Sequence, residues 1–210
     1  MNIKHTIIAL IATIPLSLTS QAQTIYAEDF EGYSVPPFNP PSGEFSTNGT
    51  DSVVTFGGAP NKRWAVKSMH KEDTSFIQLD FATTGYQNVN LSFDFRASSV
   101  ASKYAKLAFS LDGTNFIDIG YINSDNTWQN TNISMGTLLN DKANVSLRWT
   151  ATAGPGGAGF VQAGSGSGTP EQNGTFGLDN INITGQATPE PSSSLLLGLA
   201  SLSLVLRRKR

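Results

Sequence analysis

The residue pattern predicts an all-β fold, an antiparallel sandwich, and three observations carry that expectation. The body of the chain breaks into about ten short runs rich in β-branched and aromatic residues, parted by turn residues. The clearest run, Asn88 to Ala97, alternates strictly: Val89, Leu91, Phe93 and Phe95 face one way, Asn90, Ser92, Asp94 and Arg96 the other. No long segment of 3.6-residue period interrupts the body, which removes helix-rich architectures.

Taken in order, Ile25 to Glu31 reads as a first strand ending at Gly32. Residues 34–44 hold Val35-Pro36-Pro37-Phe38-Asn39-Pro40-Pro41-Ser42-Gly43, too proline-rich for a helix or central strand, and read as a long surface loop. Ser52 to Phe56, Arg63 to Met69 (centred on Trp64 and Val66) and Phe76 to Phe81 follow as strands. Lys106 to Leu111 and Phe116 to Ile122 flank Asp112-Gly113-Thr114-Asn115, a turn signal that joins them as a hairpin. Trp128 to Met135, Val145 to Ala151 and Thr175 to Thr184 complete the set. A second long loop, 152–174, is rich in Gly, Ser and Ala. It reads either as a flexible connector or as a mobile loop beside a binding face.

Both ends of the chain carry a different kind of information. Residues 1–22 have Lys4 in a short n-region, an apolar stretch from Ile7 to Leu18, and Ser20-Gln21-Ala22 as a signal-peptidase site before Gln23. An exported protein is expected. At the other end, residues 188–210 hold Pro189-Glu190-Pro191, an apolar run from Leu195 to Leu206 and the cluster Arg207-Arg208-Lys209-Arg210. The prolines keep Glu190 extended and accessible. Fifteen uncharged residues, Ser192 to Leu206, make a helix of about 22 Å against a bilayer core of roughly 30 Å, a marginal transmembrane anchor. The terminal basic cluster favours the cytoplasmic side.

The remaining body, 23–187, holds 9 basic and 15 acidic side chains, a net of −6, and is long enough for one domain with its own core. Such a surface argues against nucleic acid or anionic lipid as a partner. The chain has no cysteine, which excludes a disulfide scaffold and thiol chemistry.

Pro-Glu-Pro, a short apolar helix and a terminal basic cluster, in that order, resemble the PEP-CTERM sorting signal of Gram-negative-type bacteria. The resemblance implies that signal peptidase and exosortase, a membrane protease-transpeptidase, process the chain during export, with transient membrane association through the tail. It makes Pro189, Glu190, Pro191, Arg207, Arg208, Lys209 and Arg210 recognition features of a substrate. The expected destination is the cell envelope or extracellular matrix.

Three pieces of the body, Glu28-Asp29-Phe30-Glu31-Gly32, Phe109 to Phe116 and Phe176-Gly177-Leu178-Asp179-Asn180-Ile181, resemble the MAM, laminin-G and carbohydrate-binding-module group of jelly-roll β-sandwiches. That resemblance implies first and last strands lying together, with Asp29 and Glu31 facing Asp179 across a possible structural calcium ion (Ca2+). Alternation supports it in part, since Asp179 shares its face with Ile181 and Ile183, where a lone carboxylate is costly to bury. A bulge at Gly177 would instead turn it outward.

Catalytic signals are sparse. His70 is the one histidine outside the signal segment, and no nucleophile motif accompanies it. Glu28 and Glu31 do not share a strand face, as a glycosidase pair on one strand would. Trp64, Trp128 and Trp149, with Tyr86, Tyr104 and Tyr121, are candidates for stacking on sugar rings, although each also suits a core position. Asn-X-Ser/Thr triplets begin at Asn48, Asn90, Asn132, Asn144, Asn173 and Asn182 and mark a polar outer face. The expected function is a non-enzymatic cell-surface or matrix protein. The rivals are a carbohydrate-binding module gripping exopolysaccharide and a glycan-active hydrolase.

Overall fold

Ten strands form two antiparallel sheets in the computed structural model, which describes residues 21–31, 45–47, 64–71 and 75–188. They are β1 (Ala22–Glu28), β2 (Phe45–Ser46), β3 (Trp64–Lys67), β4 (Phe76–Phe81), β5 (Tyr86–Ala97), β6 (Tyr104–Ser110), β7 (Ile117–Asn123), β8 (Gln129–Gly136), β9 (Val145–Thr152) and β10 (Thr175–Ala187). Sheet A runs β1-β10-β5-β8, with β3 also paired to β10; sheet B runs β2-β4-β9-β6-β7. This is the expected jelly-roll-like sandwich. The signal segment, the 34–44 loop, the Ser52–Phe56 strand, the sorting residues and the apolar C-terminal run lie outside the described residues, apart from Gln21 and Ala22 at the end of the signal segment. Among the described residues no helix is long and apolar enough to cross a membrane.

Alternation along each strand builds the core. Val89, Leu91, Phe93 and Phe95 of β5 are buried beneath Ile77 and Leu79 of β4, Leu107 of β6, and Leu147 and Trp149 of β9. Phe93 meets Trp149 edge to face, 5.3 Å between ring centroids at 87°, and so ties one sheet to the other. Phe95 stacks similarly on Phe176 within sheet A, at 4.9 Å. A second aromatic group, Phe30, Phe45 and Trp64, packs where β2 and β3 meet the chain after β1. Phe30 reaches it with φ at +57°, a backbone state unusual for a bulky residue. The turn is held by acids: Glu28 Oε1 accepts the Phe30 N–H at 2.7 Å, and Asp29 Oδ1 accepts the Glu31 N–H at 3.1 Å. The two-residue strand at Phe45 was not legible in the sequence, being too short for any alternation.

A bulge in β10 corrects the expected placement of Asp179. The register with β5 passes from Asp179 opposite Asp94 to Asn182 opposite Ser92, which leaves one extra residue on β10. Phe176 and Leu178 point inward before the bulge, Ile181 and Ile183 after it. Asp179 therefore sits on the outer face beside Asp94 and not on the face of Ile181 and Ile183. The bulge falls at Asn180, three residues beyond Gly177, and Asn180 has φ +48°, a left-handed state that asparagine tolerates well. Asn180 also bridges the two facing carboxylates, its backbone N–H donating to Asp179 Oδ1 and its Nδ2 to Asp94 Oδ2, each at 2.8 Å.

The Gly-rich stretch 152–174 packs against the body of the sandwich. It is stitched onto residues 98–104 by backbone bonds from Lys103 N to Val161 O, Ala163 N to Ala101 O, Gly164 N to Ser99 O and Glu171 N to Val100 O, all 2.8–3.0 Å. Its glycines allow that approach: a Cβ on Gly174 would stand 2.5 Å from Ala101 Cα, and one on Gly164 2.7 Å from Ser99 Cβ. Composition suggested flexibility, but the small residues serve close packing. Gly174→Ala is expected to lower unfolding stability in urea by about 1–3 kcal/mol through backbone displacement. Gly120→Ala, where nothing lies within 4 Å of the added carbon, should stay within about 0.5 kcal/mol. Equal, small effects at both positions would show that the lobe does not need its glycine.

Candidate functional site

The outer face of sheet B gathers the most organised set of exposed and half-buried polar and aromatic groups. Inward Ile77, Leu79, Leu147, Trp149, Ala105 and Leu107 force the alternate residues outward: Phe76, Gln78 and Asp80 on β4, Ser146, Arg148 and Thr150 on β9, Lys106 on β6. Tyr121 of β7 stands opposite Lys106. At 57% exposure it is the open ring on this face.

Arg148 lies at the middle. Its guanidinium carbon is 4.1 Å from the Phe76 ring centroid and 3.7 Å from that of Phe116, so the group is stacked on both sides. Nε and Nη2 both donate to Gln78 Oε1, at 3.0 and 2.6 Å. Gln78 Nε2 donates onward to Asp80 Oδ1 and Oδ2, at 3.0 and 3.1 Å, and Ser146 Oγ also donates to Asp80. Lys106 Nζ lies 3.7 Å from Asp118 Oδ1, an exposed pair worth little to stability. The result is a row of planar polar groups whose orientations are set before any ligand arrives.

A pocket of 460 Å³ at one end of this face is lined by Asp80, Ser146, Leu111 and Asp112 among others. Asp112 caps the β6–β7 hairpin. It accepts the backbone N–H groups of Asn115 and Thr114, at 2.8 and 2.9 Å, the Asn115 side-chain amide at 2.6 Å and the Ser110 hydroxyl at 2.8 Å. These donors, Asn115 first, hold its carboxyl well below the usual carboxylate range. A group kept ionised in this way does not act as a general acid near neutral pH.

The candidates named from sequence separate clearly. Trp64 and Trp149 are fully buried core residues and Trp128 is half-buried, a ring carbon 3.0 Å from where a Gly177 Cβ would stand. Tyr86 and Tyr104 are half-buried, and Tyr121 alone of the six is exposed. Phe76, Phe116, Gln78 and Arg148 were missed as site residues. The strand pattern that placed them was readable, but the cross-strand register that brings them together was not. His70 Nδ1 lies 3.0 Å from Ser68 O in a turn. Asp29 and Glu31 are exposed beyond β1, while Asp179 is on β10 at 8% exposure. Among the described residues no group of three or more His, Cys, Asp or Glu side chains is placed to hold a metal ion, so these three carboxylates do not form a ready-made site. A pocket of 340 Å³ nearby is lined by Glu28, Asp29 and Asn180.

Among solved structures the chain is similar to a family 29 carbohydrate-binding module, with a TM-score of 0.47 and 7% identity over 79% of this chain and 88% of that one. It is also similar to the N-terminal modules of Clostridium thermocellum endo-1,4-beta-D-xylanase 10B complexed with xylohexaose, with a TM-score of 0.50 and 12% identity over 80% of this chain and 30% of that one. The tandem family 22 modules of a Paenibacillus barcinonensis xylanase give a TM-score of 0.46 and 15% identity, over 78% and 50% of the two chains. At such identities the likeness concerns the fold alone. No curated protein matches the chain. Residues 187–210 match the family model described as the PEP-CTERM protein-sorting motif, and the chain therefore carries the sorting motif of exported proteins that an exosortase processes.

Proposed function

We propose that this is a non-enzymatic protein of the cell envelope or extracellular matrix whose sheet B outer face grips exopolysaccharide. The sorting motif at residues 187–210 is the observation that carries the destination. Thr188 is tied to Gly85 O through its N–H at 2.8 Å and its hydroxyl at 3.1 Å, so the described fold reaches to the start of the proline motif. Mass spectrometry of the exported protein should find the C-terminus lost when the sorting protease is present. An intact chain ending at Arg210 in that strain overturns the sorting reading.

The support for the glycan is the face itself. Polyhydroxyl chains are bound by exposed rings that stack on sugar and by fixed planar hydrogen-bonding groups, and Tyr121, Gln78 and Arg148 supply both. Tyr121→Ala should weaken binding to the host exopolysaccharide about tenfold in affinity electrophoresis, the scale of one lost ring contact. Asn182→Ala, on the outer face of sheet A, should leave it unchanged. Equal retardation of Tyr121→Ala and the parent protein would remove this face from the proposal. A glycan-active hydrolase has less support, since Asp112 in the neighbouring pocket is shifted in the wrong direction for an acid.

Calcium stays a separate proposal about stability. Its support is that β1 and β10 are paired, with Glu28 opposite Ile181, which brings Asp29 close to Asn180, the neighbour of Asp179. EDTA should then lower Tm by several degrees and added Ca2+ restore it. An unchanged Tm in both conditions overturns the ion.

A further inference from the structure

The described edges of the two sheets are not alike. β2 is two residues long, and β3 is four residues long and ends in Lys67. The register of β1 shifts between Thr24 and Tyr26, and that strand ends in Glu28. β7 carries Asp118 and meets β6 across a register shift between Leu107 and Ala108. Shortness, charge and bulges are the devices that stop a sheet edge from pairing with another chain. β8 has none of them over most of its length. Gln129–Gly136 is eight residues, without charge or proline, and pairs with β5 in unbroken register from Gln129 to Ser134.

The described residues also leave space below that edge. Between β8 of sheet A and β7 of sheet B lies a cleft of 410 Å³, its apolar lining including Leu107, Ile119, Ile122 and Ile133. Stacked sheets stand about 10 Å apart, so inward side chains of a strand added beside β8 would point into this cleft. Its lining holds no Asp, Glu, Lys or Arg.

We propose that β8 pairs antiparallel with β8 of a second copy of this chain, joining the two A sheets across a two-fold axis. Two observations favour that occupant. An isologous contact must accept its own chemistry, and β8 is neutral on a body of net charge −6, so the edge itself adds no like-charge repulsion. Pairing about Thr131 sets Asn130 against Asn132 of the partner, and Asn132 Nδ2 already donates to Asn130 Oδ1 at 2.8 Å within one chain, an amide row that the contact would extend. The inference does not rest on the glycan reading: Tyr121 borders the same cleft, while Gln78 and Arg148 lie on β4 and β9, away from the β7 edge.

Light scattering after size exclusion of the exported protein tests it, together with hydrogen exchange at several protein concentrations. A dimer with β8 amides protected as concentration rises is expected. Thr131→Lys, which points a charge into the cleft, should raise the dimer dissociation constant at least about tenfold. Asn132→Lys, on the outer face, should also weaken it, and Gln23→Lys on the β1 edge should not. Circular dichroism and Tm in the monomeric range confirm that each variant folds. A monomer at every concentration overturns the proposal, as does a dimer that Gln23→Lys breaks and the β8 variants do not. β8 protection that arises only on adding polysaccharide, with a monomer throughout, assigns the cleft to a glycan instead and equally overturns it.

Discussion

The fold depends on one strand. β10, Thr175–Ala187, pairs with β5 along most of its length, with β3 over Thr175–Leu178 and with β1 over Ile181–Gln186. Sheet A has no continuity without it. The pairing of Gln23 with Gly185 joins the two ends of the body, so closure must await nearly the whole chain and loses loop entropy over its full length. What offsets that cost is burial: Phe176, Leu178, Ile181 and Ile183 are all inside. The bulge at Asn180 lets one strand serve two partners on its outer side, since it separates the stretch that meets β3 from the stretch that meets β1.

The three short pieces of sequence that looked like a family signature each have a place in this fold. Glu28-Asp29-Phe30-Glu31 places Phe30 under Phe45 and Trp64, with its acids spent in part on backbone N–H groups of the turn. Ser110 to Phe116 is a hairpin whose tip hangs on one carboxylate, Asp112. Phe176 to Ile181 is β10 running into its bulge. Each piece has a structural reason for its residues, so likeness in these stretches reports folding chemistry before it reports any ligand.

Much of this was legible in the residues and some of it was not. Nine of the ten strands follow from alternation and turn signals, because a side chain's face in a strand depends on nothing more distant than its neighbour. Asp179 turns outward through a bulge, the alternative placed at Gly177, but the extra residue falls at Asn180, which gives no sign of it until its opposite strand is known. The packing of the 152–174 lobe was not legible because glycine has two uses, freedom and close approach, and composition does not distinguish them. The site on sheet B was hidden for a third reason. Phe76, Tyr121 and Arg148 are far apart in the chain, and register alone makes them neighbours. Two of the three tryptophans offered as stacking candidates, Trp64 and Trp149, went to the core.

The position of the sorting motif follows from the same architecture. Ala187 is the last residue of β10 and stands opposite Tyr86, and the match to the motif begins at that residue. The strand that completes the sandwich therefore hands over to the tail with a single shared residue and Thr188 fastened to Gly85. A cut beyond Thr188 leaves every described strand pairing and every described core residue in place.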